Sequence, residues 1–199
     1  MVKRGFDLLV CAAALITLWP LLLVIGLMIR LDSPGQALFR QERIGRFGRP
    51  FRILKFRTMR AETGQSGPLI AAADDARVTR IGRWLRATKL DELPQVFNVL
   101  KGDMSIVGPR PEVAKYVALY PAADREVVLS VRPGITDEAA VEFRDEGELL
   151  AAADDPERLY AEEILPRKLA FYGKYVRDRS FAGDLRLIWR TVRAVLGSP

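Results

Sequence analysis

Thr88-Lys89-Leu90-Asp91-Glu92-Leu93-Pro94-Gln95-Val96-Phe97-Asn98-Val99-Leu100-Lys101-Gly102 sets two adjacent carboxylates just ahead of a proline and closes a short apolar run on Lys-Gly. Pro94 suits the first turn of a helix, where its missing N–H is no loss, and Gly102 suits a left-handed C-cap. Thr88 with Asp91 also fits a capping box, which would start the helix a turn earlier. On either choice Asp91 and Glu92 lie at a helix N-terminus, where the macrodipole favours ionised carboxylates and a phosphate brought near them. Read alone, an Asp-Glu pair is two capping acids on a surface helix. The surroundings argue for more. Arg77, Arg80, Arg83 and Arg86 come just before, and Gly102-Asp103-Met104-Ser105-Ile106-Val107-Gly108-Pro109-Arg110-Pro111-Glu112 comes just after.

Downstream, Pro109 and Pro111 bracket Arg110 and restrict its backbone, which fixes where the guanidinium points. A planar fork held this way suits bidentate phosphate recognition. Upstream, Ala37 to Arg43 and Pro50 to Arg57 are β-prone runs joined by Gly45-Arg46-Phe47-Gly48-Arg49, a hairpin pattern. A period of two puts Phe51, Ile53, Lys55 and Arg57 on one face, so that Lys55 and Arg57 project side by side. A solvated strand end is the plain alternative. Val78 to Ala87 reads as a short amphipathic helix, and Ala61 to Ala76 as a polar loop whose Asp74-Asp75 is solvated rather than metal-binding. Glu112 to Leu129 reads as helical, broken at Arg132-Pro133-Gly134. Asp155-Pro156-Glu157 opens a helix running to about Val176, with a kink at Pro166. The acidic section from Asp137 to Glu163 reads as a solvated outer face.

The 199 residues suffice for one compact domain with a core and an appendage. A net charge of +6 and a pI near 9.7 point to an anionic partner: nucleic acid, anionic lipid or a phosphorylated substrate. Histidine is absent, so acid–base work falls to carboxylates, Lys or Tyr. The single cysteine, Cys11, excludes an intrachain disulfide and a cysteine-based zinc site. Basic residues alternate with acidic ones and no nucleic-acid module is recognisable, so no nucleic-acid partner is expected.

Phe6 to Ile29 is nearly continuously apolar and long enough to span a bilayer. Pro20 sits centrally, and Lys3 and Arg4 before the run are matched by Arg30, Arg40 and Arg43 after it. By the positive-inside tendency both ends then prefer the cytoplasmic face, as a bent helix that enters and leaves by one face would allow. A proline-kinked single span is the alternative. Near the end of the chain, Leu185, Ile188, Trp189, Val192, Val195 and Leu196 form one stripe, with Arg186, Arg190 and Arg193 on another side. Such a helix suits a membrane interface or docks on the protein core.

Together these residues resemble the bacterial sugar transferases, the monotopic phosphoglycosyl transferases. The resemblance covers Lys3-Arg4-Gly5-Phe6-Asp7, Leu31-Asp32-Ser33-Pro34-Gly35, Arg40-Gln41-Glu42-Arg43-Ile44-Gly45 and Lys55-Phe56-Arg57-Thr58-Met59. It continues through Leu90 to Gln95 and Gly102 to Pro111. It implies transfer of a sugar 1-phosphate from a UDP-sugar donor to polyprenyl (undecaprenyl) phosphate, with release of UMP. Asp91 would be the nucleophile and Glu92 an acid–base or orienting group. Mg²⁺ would be the cofactor, near Asp91. Lys55, Arg86 and Arg110 would hold the phosphates, and Arg57, Pro109 and Pro111 would complete the substrate-binding set. A carboxylate attacking a diphosphate meets repulsion of order 4 kcal/mol at about 4 Å and an effective dielectric near 20, which these cations would offset.

The expected fold is α+β and mostly helical. A re-entrant membrane helix occupies 1–30, and one cytoplasmic catalytic domain occupies 31–199, with a small β-hairpin and interfacial helices including a tail helix at about 184–196. The expected place is the cytoplasmic face of a bacterial inner membrane. Partners there would be the lipid bilayer, a second copy of the chain or glycosyltransferases of the same pathway. The chain departs from the family in carrying Trp19-Pro20 where Ser-Pro is usual, and Ile135-Thr136-Asp137-Glu138 where some relatives continue with glycine. The competing reading is a non-enzymatic membrane-anchored protein that binds anionic lipid or polymer, which gives no reason for Asp91-Glu92 amid arginines.

Overall fold

The computed structural model describes residues 2–60, 75–143 and 146–197, so most of the polar loop expected at 61–76 lies outside the described residues. Helix α1 (Val2–Asp32) continues through Pro20 and is long and apolar enough to cross a membrane by length and composition. One stripe of it faces the protein, with Asp7, Cys11, Ile25 and Ile29 buried. Leu9, Ile16, Leu23 and Leu27 face away, Ile16 at 76% exposure.

Strands β1 (Leu38–Ile44) and β2 (Pro50–Phe56) form the antiparallel hairpin, with Phe39 opposite Lys55 and Arg43 opposite Phe51. Phe51 and Ile53 pack with Cys11 and with Val99 and Met104. Phe56 turns to Ile25, Ile29 and Leu85. The hairpin thereby wedges between the two ends of α1 and helices α2 (Arg80–Ala87) and α3 (Gln95–Lys101).

The expected single helix over Glu112 to Leu129 is two, α4 (Ala114–Val117) and α5 (Ala122–Leu129), because Pro121 cannot donate into a continuing helix. A strand pair was not foreseen: β3 (Ser105–Val107) and β4 (Gly134–Thr136) run parallel. Each is three residues long, too short to leave an alternating pattern. Their close approach requires glycine. A Cβ on Gly134 would lie 2.1 Å from the Gly108 nitrogen, and one on Gly108 would lie 2.5 Å from the Arg132 carbonyl oxygen.

Helices α6 (Glu138–Glu142), α7 (Glu146–Ala151) and α8 (Pro156–Leu159) lead to α9 (Leu165–Asp178). The Asp155 side chain caps α8, as its Asp-Pro-Glu signature requires. Where a kink was expected at Pro166, that proline instead stands in the first turn of α9, and a π-helical turn, Tyr160–Ile164, lies just ahead of it. Tyr116, Tyr160, Leu169, Tyr172 and Val128 make the largest core, under α4, α5 and α9. Helix α10 (Phe181–Leu196) follows the Ser180 cap and begins three residues before the expected tail boundary. It docks through Asp184 and Leu187 while Leu185, Trp189 and Val192 stay exposed. The side chains of Val195 and Leu196 lie outside the described ones.

Candidate active site

Asp91 and Glu92 sit in a tight 3₁₀ turn, Leu90–Glu92, rather than inside a helix. Thr88 is not the N-cap proposed for it: its hydroxyl donates back to the Trp84 carbonyl at 2.9 Å and so closes α2. Lys89 then adopts a left-handed conformation, φ 57°, which turns the chain. Pro94 stands at the start of α3 and Gly102, φ 100°, at its end, as the sequence pattern requires.

Glu92 is held by two cations. Lys55 Nζ donates to its Oε1 at 2.9 Å, and Arg110 reaches Oε1 at 2.5 Å and Oε2 at 3.4 Å. Burial alone would push the Glu92 carboxyl up, but Arg110 and Lys55 together hold it well below the usual carboxylate range. Such a carboxylate is a poor proton acceptor, so of the two roles left open for Glu92 the geometry favours orienting. Burial pulls Lys55 below its ordinary value, against the pull of Glu92, and Glu92 raises Arg110 well above its own.

Asp91 is the opposite case. It is 9% exposed, and no side-chain hydrogen bond or ion pair joins its carboxylate to a described residue. Burial, then the neighbouring charge of Glu92, raises its carboxyl above the usual value, against Lys55, Arg110 and Lys89. Of the two carboxylates, only that of Asp91 is left without a cation bonded to it.

Arg86 reaches this place because α2 lies directly on the strand-end backbone. A Cβ on Gly82 would come within 2.0 Å of the Thr58 carbonyl oxygen, and four residues on, Arg86 Nε donates to the Thr58 hydroxyl at 3.0 Å. Burial lowers the Arg86 guanidinium below its ordinary value, partly countered by Asp91. Arg110 is set by its two neighbours. The Pro109 carbonyl accepts from Gly134 N at 2.9 Å, and the Pro111 carbonyl accepts from Arg43 at 3.1 Å.

Arg57 is not brought to this place. Its guanidinium donates to the carbonyls of Ile29, Ser33 and Pro34 and to the Ser33 hydroxyl, so it closes the C-terminal end of α1. Lys55 and Arg57 therefore do not project side by side; the end of the strand turns them apart. Asp75 is taken by Arg77 at 2.6 Å, and Asp74 lies outside the described residues. Among the described residues no cluster of three or more acids, histidines or cysteines could hold a metal alone.

Two polar residues went unread. Thr58 positions Arg86, and Asp137, taken for part of a solvated acidic face, is 3% exposed and caps α6 through Ala140 N at 2.8 Å. An Asp-x-x-Ala cap signal was present in the sequence, but nothing in it told burial from solvation.

The family model for bacterial sugar transferases matches residues 1–198. Over 98% of its length the chain is 43% identical to a UDP-glucose:undecaprenyl-phosphate glucose-1-phosphate transferase of Caulobacter vibrioides, of which it covers 69%. It is 40% identical, again over 98% of its length, to a UDP-N-acetylgalactosamine-undecaprenyl-phosphate N-acetylgalactosaminephosphotransferase of Aeromonas hydrophila and spans 44% of that protein. The exopolysaccharide production protein ExoY of Sinorhizobium fredii is 36% identical over 97% of the chain, which covers 84% of it. The chain thus spans less than half of one relative and most of another. With the Asp91-Glu92 turn, Lys55 and Arg110 all inside the matched span, the chain belongs to the bacterial sugar transferase family.

Proposed function

We propose that this chain transfers a sugar 1-phosphate from a UDP-sugar to polyprenyl phosphate and releases UMP. The observation that carries the reading is the contrast between Asp91, buried and unpaired, and Glu92, fixed between Lys55 and Arg110. An Asp91 oxygen attacks the phosphorus bonded to the sugar oxygen, and the bond from that phosphorus to UMP breaks. A phosphate oxygen of the polyprenyl acceptor then attacks the same phosphorus and frees the Asp91 carboxylate. UMP leaves as a phosphate anion, so no acid has to protonate it, which agrees with a chain that has no histidine. Lys55, Arg86 and Arg110 offset the negative charge that gathers at the diphosphate, and Glu92 keeps two of these cations in place.

Asp91 fits Mg²⁺ as one carboxylate ligand, in the manner of sites that take their remaining oxygens from substrate phosphates and water. When bound, Mg²⁺ would supply charge neutralisation at the diphosphate.

The anchor reading is supported by where α1 meets the body. Near its start Asp7 accepts from the Ser105 hydroxyl at 2.7 Å, and near its end Ile25 and Ile29 pack with Phe56 and Leu85. The stretch 8–24 between these contacts would rise about 25 Å if straight, short of a hydrocarbon core of about 30 Å. Both contacts belong to one folded body. A helix that enters and leaves by a single face, at a bacterial inner membrane, accounts for this and for the basic residues at both ends.

The test is UMP release by the detergent-solubilised chain with Mg²⁺, undecaprenyl phosphate and a panel of UDP-sugars. Release with one or two sugars, abolished in Asp91→Asn while folding and membrane association persist, is the expected result. Near-normal turnover by Asp91→Asn would remove Asp91 from the nucleophile's role. Silence of the wild-type chain across the panel would overturn the reaction itself.

A further inference from the structure

Asp137 is a buried acid that the reaction above does not use. Its Oδ1 accepts from Ala140 N, and its Oδ2 is buried with no hydrogen-bond partner. The strand pair places it beside the phosphate-binding turn. Gly108 N donates to the Thr136 carbonyl at 3.1 Å and Gly134 N to the Pro109 carbonyl at 2.9 Å. The segments that carry Arg110 and Asp137 thus leave the parallel strands side by side.

The charged and titratable groups facing Asp137 come from three further elements. They are Arg110 from the turn after β3, Lys168 and Tyr172 from α9, and Glu92 from its own turn. Lys168 is already paired with Glu146 at 2.5 Å, and Glu92 is a like charge. Arg110 is therefore the cation with which an ionised Asp137 chiefly interacts. No hydrogen bond joins the two, so the coupling is one of charge through a low-dielectric interior.

We propose that Asp137 is a buried counter-charge to Arg110 that weakens the guanidinium's hold on the phosphates of a uridine nucleotide, so that the spent nucleotide is released. Asp137 acts through Arg110 and does not touch the substrate. The inference rests on Arg110 as a phosphate-holding group. Its physical sense is simple. A negative charge behind the cation opposes an anion in front of it, and removing that charge tightens the grip. A role as helix cap alone has no such consequence, because Asn and Ser cap as well as Asp.

Burial pushes the Asp137 carboxyl up to about 6, against Arg110, the Ala140 N–H and Lys168. The counter-charge is therefore present at about pH 7.5 and largely absent at about pH 5.

The experiment is calorimetric titration of the full, detergent-solubilised chain with UDP, comparing wild type with Asp137→Asn and Asp137→Ser at both pH values. The wild-type-to-variant ratio cancels the titration of UDP itself. Both variants should bind UDP about five- to tenfold tighter than wild type at the higher pH and within about twofold of it at the lower. Equal or weaker binding by the variants at the higher pH overturns the proposal, as does a ratio that does not change with pH. Absence of UDP binding by wild type and variants alike overturns it too. A chain that binds UDP yet releases no UMP from any UDP-sugar fails the transfer reading instead, and the affinity ratios still decide the role of Asp137.

Discussion

Asp91 and Glu92 are neighbours that the fold treats in opposite ways, and substitution should separate them. Glu92→Gln replaces a carboxylate shared by Lys55 and Arg110 with a neutral amide and leaves two partly buried cations facing each other. It should lower stability by about 2–4 kcal/mol in urea denaturation and also reduce UMP release. Asp91→Asn removes an unpaired buried charge, so it should abolish turnover with stability kept or raised. Equal stability losses in the two variants would contradict this division of roles. Asp137 extends the argument. Its folded value, about 6, lies above the ordinary 3.8, so the folded chain holds the extra proton between these values and stability falls as pH rises through them. Asp137→Asn should therefore be more stable than wild type at about pH 7.5, by at most about 3 kcal/mol, and the advantage should vanish near pH 4. The Asp91-Glu92 pair was legible because carboxylates amid arginines are chemically conspicuous. Asp137 was not, because in a run with Glu138 and Glu142 an acid under the core looks like one in water.

At the scale of elements, packing decides where each charged side chain arrives. Helix α2 rests on the Thr58 carbonyl through Gly82, and only that closeness puts Arg86 on the Thr58 hydroxyl and within electrostatic reach of Asp91. Gly82→Ala should push α2 off the strand end, destabilise the chain by about 1–3 kcal/mol, and raise KM for the UDP-sugar more than the stability loss alone would. An alanine variant with wild-type urea midpoint and KM would show that the helix adjusts freely. The periodicities foretold the hairpin, α2 and α10, since amphipathic stripes and alternating strands leave a pattern. They missed β3 and β4, because three-residue strands buried between helices leave none, and they sent Arg57 to the site because strand alternation says nothing about the twist at a strand's end. Sequence placed Lys55 and Arg110 near phosphate-binding chemistry; only tertiary packing shows that one carboxylate, Glu92, ties them together.

Among the described residues, two helices turn apolar side chains outward: α1 with Leu9, Ile16, Leu23 and Leu27, and α10 with Leu185, Trp189 and Val192, Trp189 at 63% exposure. The two helices meet where Phe6 sets its ring edge-on to Phe181 at 5.2 Å and where Lys3 pairs with Asp184. Outward apolar faces of this kind in water would be unfavourable at about 25 cal/mol for each Å² of apolar surface, and a lipid surface removes that penalty. The start of α1 is also fixed to the body: Arg4 donates to the Leu100 and Met104 carbonyls and Asp7 accepts from Ser105. If the helix crossed the bilayer, these contacts and the Lys3–Asp184 pair would all break, leaving Asp7 in lipid without its partner. The expected topology therefore has both ends of α1 on the cytoplasmic side. In a Cys11→Ala background, Val2→Cys and Gln36→Cys should both react with a membrane-impermeant maleimide in inverted vesicles and neither in right-side-out ones. Labelling of position 2 only from the outer face would establish a crossing and would require α1 to leave the body it is packed on here. Replacing Leu185 and Trp189 by Glu should then weaken retention on liposomes without changing the far-UV spectrum, because neither side chain supports the core. Unchanged retention would leave α1 as the sole anchor and assign the exposed face of α10 to something other than lipid.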